Sequence, residues 1–290
     1  MTKSIEKVYA GSPTKMGHGP TISRILPNNK VEHIGPFIFL DHIVPFKSEA
    51  NPNATSSGIG AHPHKGIITF SYLMSGQIEH YDSRGNHGIV SEGGVQWMNS
   101  GNGIVHDEMP PIEFKKTGGM MHALQLWINL PAAIKKENPE YAAFQSKDIP
   151  EVALADDAGM LRILMGTYEG KQSPIKTYSP LLNYHVKLQA GKSVSFSAIA
   201  NFEYWVYIPV TPIQYGDQTL KAGEFVSFKN DGNTLTFTNT TSEEADFLLY
   251  GGEPLNEPVV YGGSFVMNAQ EEIDIAYQEY HSGKYGTIHY

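Results

Sequence analysis

Apolar and polar positions alternate with period two along most of the chain. Residues 31–40, 67–74, 77–81 and 95–98 read as short strands separated by glycine-bearing turns. DSRGNHG, residues 82–88, reads as a hairpin tip between two of them. In residues 120–128 the alternation puts Met120, His122, Leu124, Leu126 and Ile128 on one face.

The pattern breaks at PAAIKKENPEYAAFQSKDIP, residues 131–150. Asn138 as N-cap and Pro139 in the first turn predict a short connecting helix there. Strands then resume at residues 184–188, 193–198, 204–208, 224–228, 234–239 and 247–250. EGGVQWMNSGNGIVHDE, from Glu92, lies over AGEFVSFKNDGNTLTFTN, from Ala222, with the Gly-Asn steps nearly in register. An all-β chain of two similar domains is expected, at 1–135 and 151–290, joined by a linker at 136–150. NAQEEIDIAYQEYHSG closes the pattern differently. Asn268 and Glu271 suggest a capping box, Ile273, Ala276, Tyr277 and Tyr280 recur at helical spacing, and Gly283 is a stop.

Composition supports this reading. Of 290 residues, 40% are hydrophobic, enough for a substantial core, and 29 glycines with 18 prolines suit many turns. The net charge of −9, with no run of Lys and Arg, argues against direct nucleic-acid binding. The absence of cysteine removes disulfides, thiolate metal sites and a cysteine nucleophile. Neither a signal-like N-terminal stretch nor an apolar run long enough for a membrane span is present, so a cytoplasmic protein is expected.

Chemistry concentrates in the first half, where nine of the 12 histidines fall at or before His122. In IGAHPHKGII, His62 and His64 share a strand face, as do His106 and Glu108 in IVHDEMP. The first pair alone could equally be two polar side chains entering a strand. Two such pairs on neighbouring strands would aim four ligands at one point. Three imidazoles and a carboxylate suit iron, manganese, nickel, copper or zinc, and leave an octahedral metal two open positions. His122 reads as a hydrogen-bonded core histidine, and His42 is open to either role. His80, Asp82 and His87 flank a turn and read as solvated. By the Gly-Asn register His106 corresponds to Phe237 and Glu108 to Asn239, so the second half lacks the pattern.

HPHKGIITFSYLMSGQIEHYDSRGNHG, VQWMNSGNGIVHDEMP, HALQLWINLP, GEPLNEPVV and the closing YHSGKYG together resemble the pirins, over nearly the whole chain. The resemblance implies two cupin domains of double-stranded β-helix type with one metal, usually iron(II), in the first. The family's ligand pattern falls on His62, His64, His106 and Glu108. The resemblance further implies one of two functions. The first is a quercetinase-like dioxygenase acting on a flavonol with dioxygen, with Glu108 as general base. The alternative is a non-enzymatic, iron-dependent redox co-regulator that binds protein partners. Ile68 departs from the family, which commonly has glutamate four residues after the second histidine of H-P-H, and Glu92-Gly93-Gly94 replaces the usual Pro-Gly-Asp turn.

Overall fold

The structure, a computed structural model, describes residues 1–15, 21–55, 58 and 60–290. It forms two compact units. One comprises Pro13–Ile22, Ile38–Asp148 and Asn256–Tyr290, and the other Met1–Ser12, Ser23–Phe37 and Ile149–Leu255. Each unit thus draws on chain from beyond its own half of the sequence.

The first unit carries the clustered histidines and is here called the histidine unit. Its strands include β1 (Phe37–Ser48), β2 (His62–His64), β3 (Ile67–Ser75), β4 (Gln77–Asp82), β5 (His87–Ser91), β6 (Val95–Asn99), β7 (Ile104–Met109), β8 (Gly119–Asn129) and β9 (Glu140–Phe144). Five run side by side as β9-β6-β3-β8-β1, and a second sheet runs β2-β7-β4-β5. The hairpin tip expected at residues 82–88 joins β4 to β5, with Tyr81 paired to His87. Contacts such as Ser71 with Glu108 join the inner faces of the two sheets, the arrangement of a β-sandwich.

Two segments differ from expectation. Residues 31–36 are turns rather than strand, because Asn28 Oδ1 accepts the Lys30 and Val31 amides and Gly35 takes φ +52°; extended chain begins only at Phe37. The connection has two short helical turns, Ile134–Lys136 ahead of Asn138 and Ser146–Asp148 after it, and between them residues 140–144 form β9 on the edge of β6. Local propensity at Asn138-Pro139 yields there to a ladder with Val95–Asn99, which pairs backbone groups along five residues of each strand.

The C-terminal segment adds the hairpin β10 (Val260–Gly262) and β11 (Phe265–Met267), then the helix Gln270–His281. Ile273 and Ala276 of that helix bury against Phe265, Met267 and Val105. Its N-cap is Ala269, one residue beyond the expected Asn268. Glu272, not Glu271, reaches back, accepting the Asn268 amide at 3.0 Å. Gly283, at φ +78°, follows the cap as a stop should.

The second unit packs a seven-stranded sheet and a four-stranded one around Leu161, Val186, Val206, Phe237, Phe247 and Leu249. Phe237 is fully buried, 4.5 Å from the Phe247 ring centroid. Asn239 is also buried and donates to the carbonyls of Leu188 and Glu243. The positions matched in sequence to His106 and Glu108 therefore serve here as aromatic core and loop brace. Among the described residues, no helix is long and apolar enough to cross a membrane.

Candidate metal centre

The site is built on β7, which is buried along its whole length. Its register places His106 opposite His62 of β2 on one side and opposite Asp82 of β4 on the other. Glu108 lies opposite His80. Residues directly opposite each other in an antiparallel pair share a face. His62, His64, His80, Asp82, His106 and Glu108 therefore all point from one sheet toward the interior of the sandwich. His64, His80, Asp82, His106 and Glu108 are buried, and His62 is half-buried.

His62, His64 and His106 each offer a nitrogen within 4.8 Å of the others. Glu108 joins a second such group with His80 and His106, so the two clusters overlap at His106. Backbone carbonyls fix two of the rings. His62 Nδ1 lies 2.8 Å from Gly60 O, and His64 Nδ1 lies 3.2 Å from Ser264 O. A carbonyl only accepts, so each Nδ1 carries the proton and each neutral ring keeps a bare Nε2. His62 Nε2 stands 3.0 Å from His106 Nε2. Two nitrogens bound to one metal at about 2.1 Å and a right angle would stand about 3 Å apart. The donor set and spacing therefore fit a divalent transition metal.

Electrostatics hold the rings in the form a metal requires. Burial pushes the His106 imidazole well below its usual range, and His62, His64 and His80 push it further. His64 is lowered the same way, by burial and then His62, with the Ser264 carbonyl opposing. Neutral imidazole is the ligand form. Glu108 Oε1 accepts from Ser71 Oγ at 3.0 Å, and Ser71 Oγ lies 2.5 Å from the Gln125 carboxamide. The Trp127 ring meets His64 edge-on, with centroids 5.1 Å apart, and stacks on Phe39 at 4.0 Å.

His80 and Asp82 are not the solvated residues expected from sequence. Both are buried, and His80 Nε2 lies 3.2 Å from Asp82 Oδ2. Burial alone would raise the Asp82 carboxyl, but hydrogen bonds from His80, Asn86 and the Arg84 amide outweigh it and hold it below the ordinary range. Tyr141 of β9 stacks on the His80 ring at 4.1 Å and 8°. The sequence carried a signal for this pair: H-x-D in β4 has the same face-sharing spacing as H-x-H and H-x-E. His87 is exposed, as expected, 2.8 Å from Glu79. His122 is a buried partner of His42, with their Nε2 atoms 2.8 Å apart. Ile68 lies on the face of β3 opposite to Ser71, turned away from Glu108, so a glutamate there would not have joined this cluster.

The profile of the Pirin family matches residues 19–128, and that of the Pirin C-terminal cupin domain matches residues 183–286. A Pseudomonas aeruginosa protein provisionally named a quercetin 2,3-dioxygenase is 34% identical over 270 residues, spanning 93% of each chain. Pirin-like protein 2 of Arabidopsis thaliana is 34% identical over 97% of this chain and 85% of its own. Among solved structures, a quercetin 2,3-dioxygenase from Acinetobacter baumannii superposes with a TM-score of 0.93 at 29% identity, over 100% of both chains.

Proposed function

The chain belongs to the pirin family, and from that premise we propose that it is a metal-dependent dioxygenase of flavonols such as quercetin. His62, His64, His106 and Glu108 hold the metal in this reading. The observation that carries it is the convergence of bare histidine nitrogens beside Glu108 on a buried sheet face. Iron(II) is the first assignment, and the same donors accept manganese, nickel, copper or zinc.

When bound, the metal supplies Lewis-acid polarisation of a chelating oxygen and redox contact with dioxygen. The protein's own contribution is orientation and proton transfer. The Gly60 and Ser264 carbonyls lock the His62 and His64 rings, and Ser71 anchors Glu108 at Oε1. Glu108 then takes the flavonol hydroxyl proton as general base. The stacked Trp127 and Phe39 rings beside His64 offer an aromatic border for a planar substrate.

The test is an aerobic assay of protein loaded in turn with each candidate metal, following loss of flavonol absorbance. His106→Ala, expected to lose its metal while remaining folded, is the control. Fully loaded protein that leaves the flavonol intact with every metal overturns the dioxygenase assignment. Retention of metal by the variant overturns the ligand set.

A further inference from the structure

We propose that His80 and Asp82 are positioning residues that select the metal-binding tautomer of His106. The inference deepens the metal-site reading and rests on it. Asp82 Oδ1 accepts the amides of Arg84, at 2.8 Å, and Asn86, at 3.0 Å, while Oδ2 accepts the Asn86 carboxamide at 2.9 Å. Every one of these neighbours is a donor, so the carboxylate acts as an acceptor toward His80 as well. His80 Nε2 therefore carries the proton it shares with Asp82 Oδ2, and in the neutral ring Nδ1 is then bare.

That bare nitrogen lies 3.4 Å from His106 Nδ1. For this contact to be a hydrogen bond one of the two nitrogens must carry a proton, and with His80 Nδ1 bare His106 supplies it. His106 then has its proton on Nδ1 and its lone pair on Nε2, which faces His62 Nε2. Each of the three clustered histidines is thus fixed in the same sense, with Nδ1 protonated and Nε2 bare. His62 and His64 achieve this with a backbone carbonyl, whereas His106 achieves it through His80 and Asp82.

The relay matters because His106 has a competing state. With its proton on Nε2 instead, His106 would donate to the bare Nε2 of His62 and form a hydrogen-bonded pair in place of a metal site. A carbonyl cannot be mistaken for a donor, but an imidazole can, so His80 itself must be held in one tautomer. Asp82 does this electrostatically. The flat stack of Tyr141 fixes the ring plane, and the absence of a side chain at Gly88 admits it, since a Cβ there would meet the Tyr141 hydroxyl at 2.3 Å.

The experiment measures cobalt(II) affinity of the full chain by competition with a chromophoric chelator, together with the visible spectrum of the cobalt(II) form. His80→Phe keeps an aromatic ring against Tyr141 and removes the acceptor. It is expected to weaken binding about ten- to a hundredfold and to alter the spectrum. His80→Asn places Oδ1 where Nδ1 stood and is expected to recover most of that loss. Asp82→Asn, which leaves His80 free to change tautomer, falls between. Circular dichroism of the metal-free variants reports folding separately. Wild-type affinity and spectrum in His80→Phe overturn the proposal. So does a His80→Asn variant as weak as His80→Phe, because His80 would then be a ligand itself. A wild-type protein that takes up no cobalt(II) brings down the metal site as well.

Discussion

Lys135→Met offers a test that does not involve the metal. Lys135 is almost fully buried, and its ammonium donates to Gly66 O at 2.8 Å, Asn129 Oδ1 at 2.6 Å and Val266 O at 2.7 Å. Methionine fills similar space but leaves three acceptors short of a donor, at about 1–3 kcal/mol each. Gly66 O keeps a second partner in the Leu130 amide, so its share is the smallest. Against this, the variant no longer buries a cation. Burial pulls the Lys135 amine down from 10.5 to about 7, with Glu257 and Glu272 opposing, so that cost is large. The expected net loss is about 2–4 kcal/mol, a fall of roughly 5–15 °C in Tm for a protein of this size. The pH dependence has a definite sign. The folded value lies below the unfolded one, so between about 7 and 10.5 the unfolded chain holds a proton that the folded chain has shed. Stability from this group therefore rises with pH across that window and is lost as pH falls through about 7. The variant lacks this rise, so its deficit should widen with increasing pH. Denaturant melts of both proteins, followed by near-ultraviolet circular dichroism across that range, measure it. A deficit under about 0.5 kcal/mol, or one that narrows as pH rises, refutes the reasoning.

Three further outcomes are expected. Phe237→Ala should cost the second unit about 3–5 kcal/mol, through the cavity left beside Phe247, while metal content stays at the wild-type level. Calorimetry and elemental analysis on one sample read both. Gly88→Ala should push Tyr141 off His80 and cost about 1–3 kcal/mol, with weaker metal binding; unchanged melting would show that the strands part without cost. Metal-free protein should lose stability as pH falls below the ordinary imidazole value of 6.5, because His64 and His106 resist protonation when folded and accept it when unfolded. Urea midpoints that are equal at about pH 7.5 and about pH 5.5 would contradict that.

What could be read from the sequence was local. The alternation around His62, His64, His106 and Glu108 identifies shared faces, because strand geometry depends only on neighbours along the chain. The burial of His80 could not be read in the same way. It depends on β7 pairing along the far side of β4 and on Tyr141 arriving from residues that, taken alone, favour a helix. The same nonlocal pairing moved Glu140–Phe144 from linker to strand. Turn-forming neighbours made Asp82 look solvated, yet those turn amides and Asn86 provide the donors that let a buried carboxylate remain charged.

The Ser264 carbonyl that orients His64 lies 200 residues further along the chain. A ribosome therefore releases His62, His64, His106 and Glu108 long before the residue that completes their setting has been made. Lys135, which grips Val266, waits for 131 residues. Early metal capture on the nascent chain would meet a half-oriented site, so correct loading belongs to the finished polypeptide. For the same reason, a fragment ending near residue 135 would retain every proposed ligand and still lack part of what holds them in place.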